Sequence, residues 1–261
     1  MSMEVSVKGS LLGLFLAVAT CLGTPSIASA DLIFDFSLGG VAGSGLGNVF
    51  TILTMQSPGS GSVESGSVQH AGGGDVKSDV GVLAGGGTTN VGSVKTGAAQ
   101  TLTRTFGETG ITKASQIAIV FNANEPSGNS VTLTGLQLSI FNGNTDIFDA
   151  HLATSVDFAT TFTGTGKEGF VFRLDSPETA ALQMILDGLT PAAIAELRIA
   201  LSASASDATG GPETFNVGAI TGEVAAVPEP ATLFLLGSGL VGLGAWSRQR
   251  RVRRSDGRSG G

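Results

Sequence analysis

Tyrosine is absent from the chain, and cysteine and tryptophan occur once each, as Cys21 and Trp246. Cys21 lies in an N-terminal apolar run with the marks of an export signal. Removing that run leaves no disulfide, no thiol nucleophile and no cysteine metal ligand. Outside the cell, stability then has to come from packing or bound ions. Two histidines are present, His70 and His151, and neither has a second imidazole at metal-binding helical spacing. Each reads most simply as a surface or internally satisfied residue. Between Asp31 and Ala226 no Gly-x-Ser-x-Gly occurs. A Ser-His-Asp triad would have to assemble from scattered residues, and no catalytic residue is assigned. Sugar-binding sheets commonly use Trp or Tyr rings as stacking platforms. Here the tryptophan sits near the C-terminus, and the 14 phenylalanines read as core or export-signal residues. This disfavours an aromatic-platform lectin and leaves a hydrogen-bonding glycan site open.

What is present begins with the N-terminus. Lys8 supplies positive charge, Leu11 to Leu22 is apolar, Pro25 breaks the helix, and Ala28-Ser29-Ala30 forms an A-x-A cleavage site. Residues 1–30 are therefore expected to be a signal peptide, with the mature chain starting at Asp31. The rival reading makes Cys21 a lipoprotein acceptor after Val18-Ala19-Thr20, where threonine before the cysteine fits poorly.

The C-terminus is organised just as sharply. Val227-Pro228-Glu229-Pro230 is rigid and extended. From Ala231 to Trp246 no residue is ionisable, and Arg248, Arg250, Arg251, Arg253 and Arg254 follow. As a helix, 231–246 spans about 24 Å, short of a bilayer core of about 30 Å. It can still insert if Trp246 lies at the interface and the arginines snorkel. The arginines set the cytoplasmic side and place everything before Val227 outside. Gly237 to Gly242 literally matches G-x-G-x-x-G, but without a strand–helix context it is no dinucleotide site. Its small residues suit close helix contact instead.

Residues 227–254 resemble the PEP-CTERM sorting signal of Gram-negative bacteria. The resemblance implies an exosortase, a membrane transpeptidase, as the partner that cuts near Pro228-Glu229-Pro230. It also implies transient inner-membrane anchoring, a final place at the cell surface or outside the cell, and an exopolysaccharide or biofilm setting. Signal peptidase and the general export machinery are the other expected partners. Residues 255–261 are expected to form a disordered tail.

Between these signals, 31–226 holds 7 Lys+Arg and 18 Asp+Glu, a net −11 against −7 for the whole chain. That balance argues against nucleic acid or an anionic membrane as partner. Forty glycines and 13% charged residues suit a loop-rich β protein. Strands are expected at Leu32–Phe36, Val49–Met55, Leu102–Phe106, Gln116–Phe121, Val131–Phe141, Phe170–Leu174, Leu197–Ala203 and Thr214–Ile220. Ser57 to Gly97 is Gly/Ser-rich and reads either as a flexible insertion or as weak strands on a mobile sheet. Asn124 to Asn129 reads as a hairpin turn. Ser176-Pro177-Glu178 signals a helix start with Ser176 as the cap; the helix should end near Gly188, and Thr190-Pro191 should begin another short turn.

Asn124-Glu125-Pro126, Val171 to Leu174, Ala180 to Leu186 and Ala208 to Gly211 together resemble a recurrent ectodomain of PEP-CTERM proteins. The expected fold is mainly β, an antiparallel, jelly-roll-like sandwich with one or two short helices. No cofactor is expected, with one qualification for calcium. Asn142, Asn144, Asp146 and Asp149 place oxygens at alternating positions and could supply part of a calcium shell, with Asp207 as a weaker contributor. A plain Asn/Gly turn explains the same residues. The leading functional expectation is a non-enzymatic surface or matrix protein. The alternatives are a calcium- or glycan-binding adhesive module, or a polysaccharide hydrolase using two carboxylates across a cleft.

Overall fold

The computed structural model describes residues 31–220 apart from 38–39, 42–48, 58–60, 98, 127 and 160–168. The proposed signal peptide and the whole of 227–261 lie outside the described residues. Fifteen strands are described: β1 (Asp31–Phe34), β2 (Gly40–Val41), β3 (Val49–Met55), β4 (Val63–Ala71), β5 (Gly74–Ser78), β6 (Val80–Val82), β7 (Thr88–Asn90), β8 (Arg104–Thr105), β9 (Ile117–Asn122), β10 (Ser130–Asn142), β11 (Thr145–Leu152), β12 (Val156–Ala159), β13 (Gly169–Leu174), β14 (Arg198–Ser206) and β15 (Glu213–Ala219). Three α-helices accompany them: α1 (Phe106–Thr109), α2 (Ser176–Asp187) and α3 (Pro191–Glu196).

The mainly β class holds, but the two-sheet sandwich does not. Thirteen strands form one continuous sheet, in the order β3-β15-β9-β13-β1-β11-β10-β14-β4-β5, with β12, β2 and β8 pairing onto it. The sheet curls into a half-barrel. Strand twist and irregular register drive the curl: the pairing shifts at Leu133/Gly135, at Ile140/Phe141 and at Phe215/Asn216. Curling brings β3 beside β4, although they stand far apart in the strand order. Period-two alternation is the same in a sandwich and a curled sheet, so sequence pattern cannot separate them.

Alternate residues face the concave side. Leu32, Phe121, Leu138, Phe172, Leu201 and Phe215 are all at most 2% exposed. Six phenylalanines, Phe34, Phe121, Phe158, Phe170, Phe172 and Phe215, interlock there; Phe121 stacks on Phe215 at 4.9 Å between centroids and Phe158 on Phe170 at 4.1 Å. On the convex side, the β6–β7 ribbon lies on a strip of small residues. A Cβ on Gly81 would fall 2.1 Å from the Ala203 carbonyl, and one on Gly135 would fall 1.9 Å from the Val82 carbonyl. Close backbone approach needs glycine at both places.

Several local expectations are corrected. Asn124 to Asn129 is a turn but not a hairpin, because β9 pairs with β13 and β15 while β10 pairs with β11, β12 and β14. The expected strand Leu102–Phe106 shrinks to β8. Thr105 caps α1 instead, and Glu108 completes a capping box. Asp175 rather than Ser176 caps α2, accepting from the Glu178 N–H at 2.9 Å. The Gly/Ser-rich stretch supplies β4 to β7. Strands β11 and β12 were not anticipated, because their polar alternation reads as loop.

Candidate functional site

Three buried glutamates define the most unusual chemistry. Glu64 is 1% exposed, Glu125 1% and Glu213 0%. Alternation puts Glu64 and Glu213 on the concave face, and the curl of the sheet brings β4 and β15 together there. Their carboxyls are neighbours, and a proton between them supplies the hydrogen bond that Glu64 Oε2 and the Glu213 oxygens otherwise lack. Burial, then the hydrogen bond and charge of Glu64, push the Glu213 carboxyl up to about 10, and burial also raises Glu64. Two adjacent buried carboxyls cannot both ionise cheaply, so they share one proton. The Ser57 N–H, 2.6 Å from Glu64 Oε1, and Lys95 favour charge on Glu64, whereas at Glu213 burial and Glu64 outweigh the Asn124 N–H. Glu213 is then the neutral acid, donating to Glu64.

Glu125 closes the same end. Its carboxylate accepts the Thr209 hydroxyl at 2.8 Å and the Gly210 N–H at 3.0 Å. This clamps the loop after β9 onto the loop before β15. A Cβ at Gly210 would fall 2.0 Å from the Asn124 carbonyl, so the Ala208 to Gly211 and Asn124-Glu125-Pro126 segments are built against each other.

The proposed calcium residues occupy a tight hairpin. Asn142 pairs with Thr145, leaving Gly143 and Asn144 as a two-residue turn with φ +60° at Gly143. The register shift sets Asp146 opposite Phe141, while Asp149 sits opposite Ser139. Alternation therefore turns Asp146 and Asp149 to one face and Asn142 to the other. Asp149 accepts from Gln137 Nε2 at 3.0 Å and from the Ser139 hydroxyl. Burial, then the charge of Asp149, raises Asp146. Among the described residues no group of three or more His, Cys, Asp or Glu side chains could hold a metal ion. Asp207 adopts a left-handed φ of 61° in its loop, and its carboxylate accepts from the Ser206 hydroxyl.

His70 on β4 lies 3.7 Å from Asp75 on β5. The same carboxylate accepts the Thr103 N–H at 3.0 Å, and Arg198 donates to the Thr103 hydroxyl. His151 pairs in register with Asp31 on one side and Gln137 on the other. The two histidines thus stand on separate strands. On the convex face, a cavity of about 230 Å³ opens beneath the β6–β7 ribbon; Ser67, Gln69, Ser78, Thr88, Gln137 and Ser202 line it with hydroxyls and amides. Sequence reasoning missed it because its walls come from six strands, two of them far along the chain from the rest. The glutamate cluster was equally hidden, since Glu64, Glu125 and Glu213 have no regular spacing.

Residues 226–251 match the family model of the PEP-CTERM protein-sorting motif. The chain carries a PEP-CTERM sorting signal. This motif implies exosortase-dependent sorting of an exported protein, with exosortase as the processing partner. Val227, Pro228, Glu229 and Pro230 and the arginines Arg248, Arg250 and Arg251 fall within the match; Arg253 and Arg254 follow it. No curated protein and no solved structure matches the chain. Among the described residues no helix is long and apolar enough to cross a membrane.

Proposed function

We propose that this PEP-CTERM protein is a non-enzymatic surface or extracellular-matrix component that works in an exopolysaccharide or biofilm setting. The observation that carries the reading is the sorting motif at 226–251, placed after a β-rich body. The chain is exported through residues 1–30, anchored through 231–246, then cut by exosortase near Pro228-Glu229-Pro230. The acidic body, −11 between Asp31 and Ala226, suits a solvated matrix. The glutamate pair favours a structural role: a glycosidase holds its carboxyls about 5–9.5 Å apart across a cleft, whereas Glu64 and Glu213 touch each other under full cover.

Mass spectrometry of the native termini, in envelope and culture medium separately, tests the sorting half. A chain running from Asp31 to near Pro228 outside the cell is expected. An intact tail retained with cells would overturn it.

A glycan-binding role is the second reading, favoured by the hydroxyl- and amide-lined cavity under the β6–β7 ribbon. Co-sedimentation with the host's exopolysaccharide, compared between the parent and a Gln137→Ala, Ser202→Ala variant, tests it. Equal retention of both would sink this reading.

A further inference from the structure

Strand register lays down the floor of the cavity under the β6–β7 ribbon. Ser78 stands opposite Ser67, Ser67 opposite Ser202, and Ser202 opposite Gln137. Directly opposed residues project to the same face, so four polar side chains form one row across β5, β4, β14 and β10. Gln69 lies two residues beyond Ser67 on the same face, and Thr88 adds a hydroxyl from the ribbon.

Much of this hydrogen-bonding capacity is unspent. Ser67 is only 6% exposed, yet its hydroxyl bonds no described protein group. Neither do the side chains of Gln69, Thr88 and Ser202. Buried polar groups are normally satisfied, and these all line one cavity. Ser78 accepts the Val80 N–H at 3.1 Å and keeps its own proton free to donate.

Gln137 differs, because its amide is held in one orientation. Its Nε2 donates to Asp149 Oδ1 at 3.0 Å and lies 3.4 Å from the Ser139 hydroxyl. With the nitrogen committed there, the atom left for the cavity is Oε1, an acceptor. Val76 and Val80, both exposed, border the same space with apolar surface.

This lining selects its ligand. Among the described residues none that lines the cavity is ionisable, so a charged ligand would find no counter-charge, and an unpaired charge is costly to desolvate. Asp149 behind Gln137 further repels an anion. Hydroxyls and amides beside small apolar walls suit a ring that carries both O–H and C–H groups, as a sugar does. At about 230 Å³ the space falls below the roughly 300–1,000 Å³ of drug-sized sites, which fits one ring. Extended peptides add to a strand edge through backbone hydrogen bonds, whereas this cavity opens on a sheet face and presents side chains.

We propose that the cavity holds one uncharged sugar ring of a neutral polysaccharide, and that Gln137 Oε1, positioned by Asp149, accepts a hydrogen bond from a sugar hydroxyl. The inference rests on the glycan-binding reading above and narrows its ligand class. Affinity for a single ring is on the order of millimolar, as the binding energy per atom of small ligands implies.

The test is saturation-transfer NMR on the processed protein purified from its host. Glucose, galactose and mannose are the neutral probes, glucuronate and galacturonate the acidic ones, and a Gly-Ser-Gly peptide the control. At least one neutral sugar should bind, and at least tenfold more tightly than its uronate. That signal should vanish in the Gln137→Ala, Ser202→Ala variant; its survival there would place the sugar elsewhere and overturn the assignment. Asp149→Asn frees the Gln137 amide to turn and should cut the neutral-to-acidic ratio at least threefold, a readout that a merely structural Asp149 would leave unchanged. Gln69→Lys, at an exposed position, should raise uronate binding and carries the charge test alone if Asp149→Asn does not fold. A uronate that binds as well as its parent sugar, or a peptide that displaces the sugar, would overturn the proposal. If the host's exopolysaccharide is retained in co-sedimentation while no neutral sugar binds, the proposal falls and the glycan reading stands; loss of both sinks both.

Discussion

Glu213 opens β15 and Glu64 lies early in β4, and the two carboxyls share a proton inside the curled sheet although 149 positions separate them. In the strand order β15 is second from one end and β4 second from the other. The contact therefore exists only because the sheet curves back on itself. It reports closure of the half-barrel as directly as any hydrophobic pair.

That shared proton makes stability depend on pH. Glu213 titrates at about 10 when folded and near 4.3 when unfolded, roughly the model-peptide value. Between these limits the folded chain binds the extra proton, so stability must fall as pH rises, by up to about 1.4 kcal/mol per pH unit for one proton. Glu213→Gln keeps the shape and removes the titration. Urea denaturation at pH 5, 7 and 9 should show a declining midpoint for the parent and a visibly flatter dependence for the variant. Parallel curves would refute the shared proton.

Glu125→Ala should unlatch the two loops that close the same end. It removes the acceptor for Thr209 and Gly210. The expected loss is about 1–3 kcal/mol, the usual result of stranding buried donors. Hydrogen exchange should rise at the Gly210 amide before it rises in β10.

Gly135→Ala should be costly out of proportion to one methyl group. The new Cβ would lie 1.9 Å from the Val82 carbonyl and 2.7 Å from Leu83 Cα. Backbone cannot yield as a side-chain tip can, so about 1–3 kcal/mol is expected. The β6–β7 ribbon should lift, with faster exchange at Ala84, whose N–H bonds the Thr134 carbonyl. Unchanged exchange there would contradict the close approach.

Phe121→Ala should remove the centre of the aromatic cluster. Phe121 is fully buried and touches Phe158, Phe170 and Phe215. A loss of about 3–5 kcal/mol is expected from deleting such a ring, read as a lower denaturation midpoint. An effect below about 1 kcal/mol would mean the cluster repacks freely.

The sorting tail makes its own prediction. Replacing Pro228, Glu229 and Pro230 by alanine should leave export intact and block removal of the tail. Full-length chain should then accumulate in the cell envelope, measured by mass spectrometry of the C-terminal peptide.

Much of this protein was legible locally. The C-terminal sorting signal is a short contiguous pattern read by another molecule, so it needs no fold of its own. Strand β3 emerges with its expected limits Val49–Met55, because an apolar β-branched run is decisive by itself. The second helix follows from Ser176-Pro177-Glu178, displaced by one at the cap because an aspartate also stood ready at 175. Elsewhere local pattern fell short: Asn142 to Asp149 shows alternating oxygens, but its hairpin pairing with β10 appears only in the fold.

What the sequence alone determined is thus the C-terminal sorting signal, the β-rich class and the acidic character, each a property of composition or of short contiguous segments. Tertiary structure decided the rest: one curled sheet in place of a sandwich, a proton shared by Glu64 and Glu213, and the Glu125 clamp between two distant loops. Those outcomes depend on which distant strands pair and how far the sheet bends. That choice is made by the summed burial of residues from every strand, and no local window contains it.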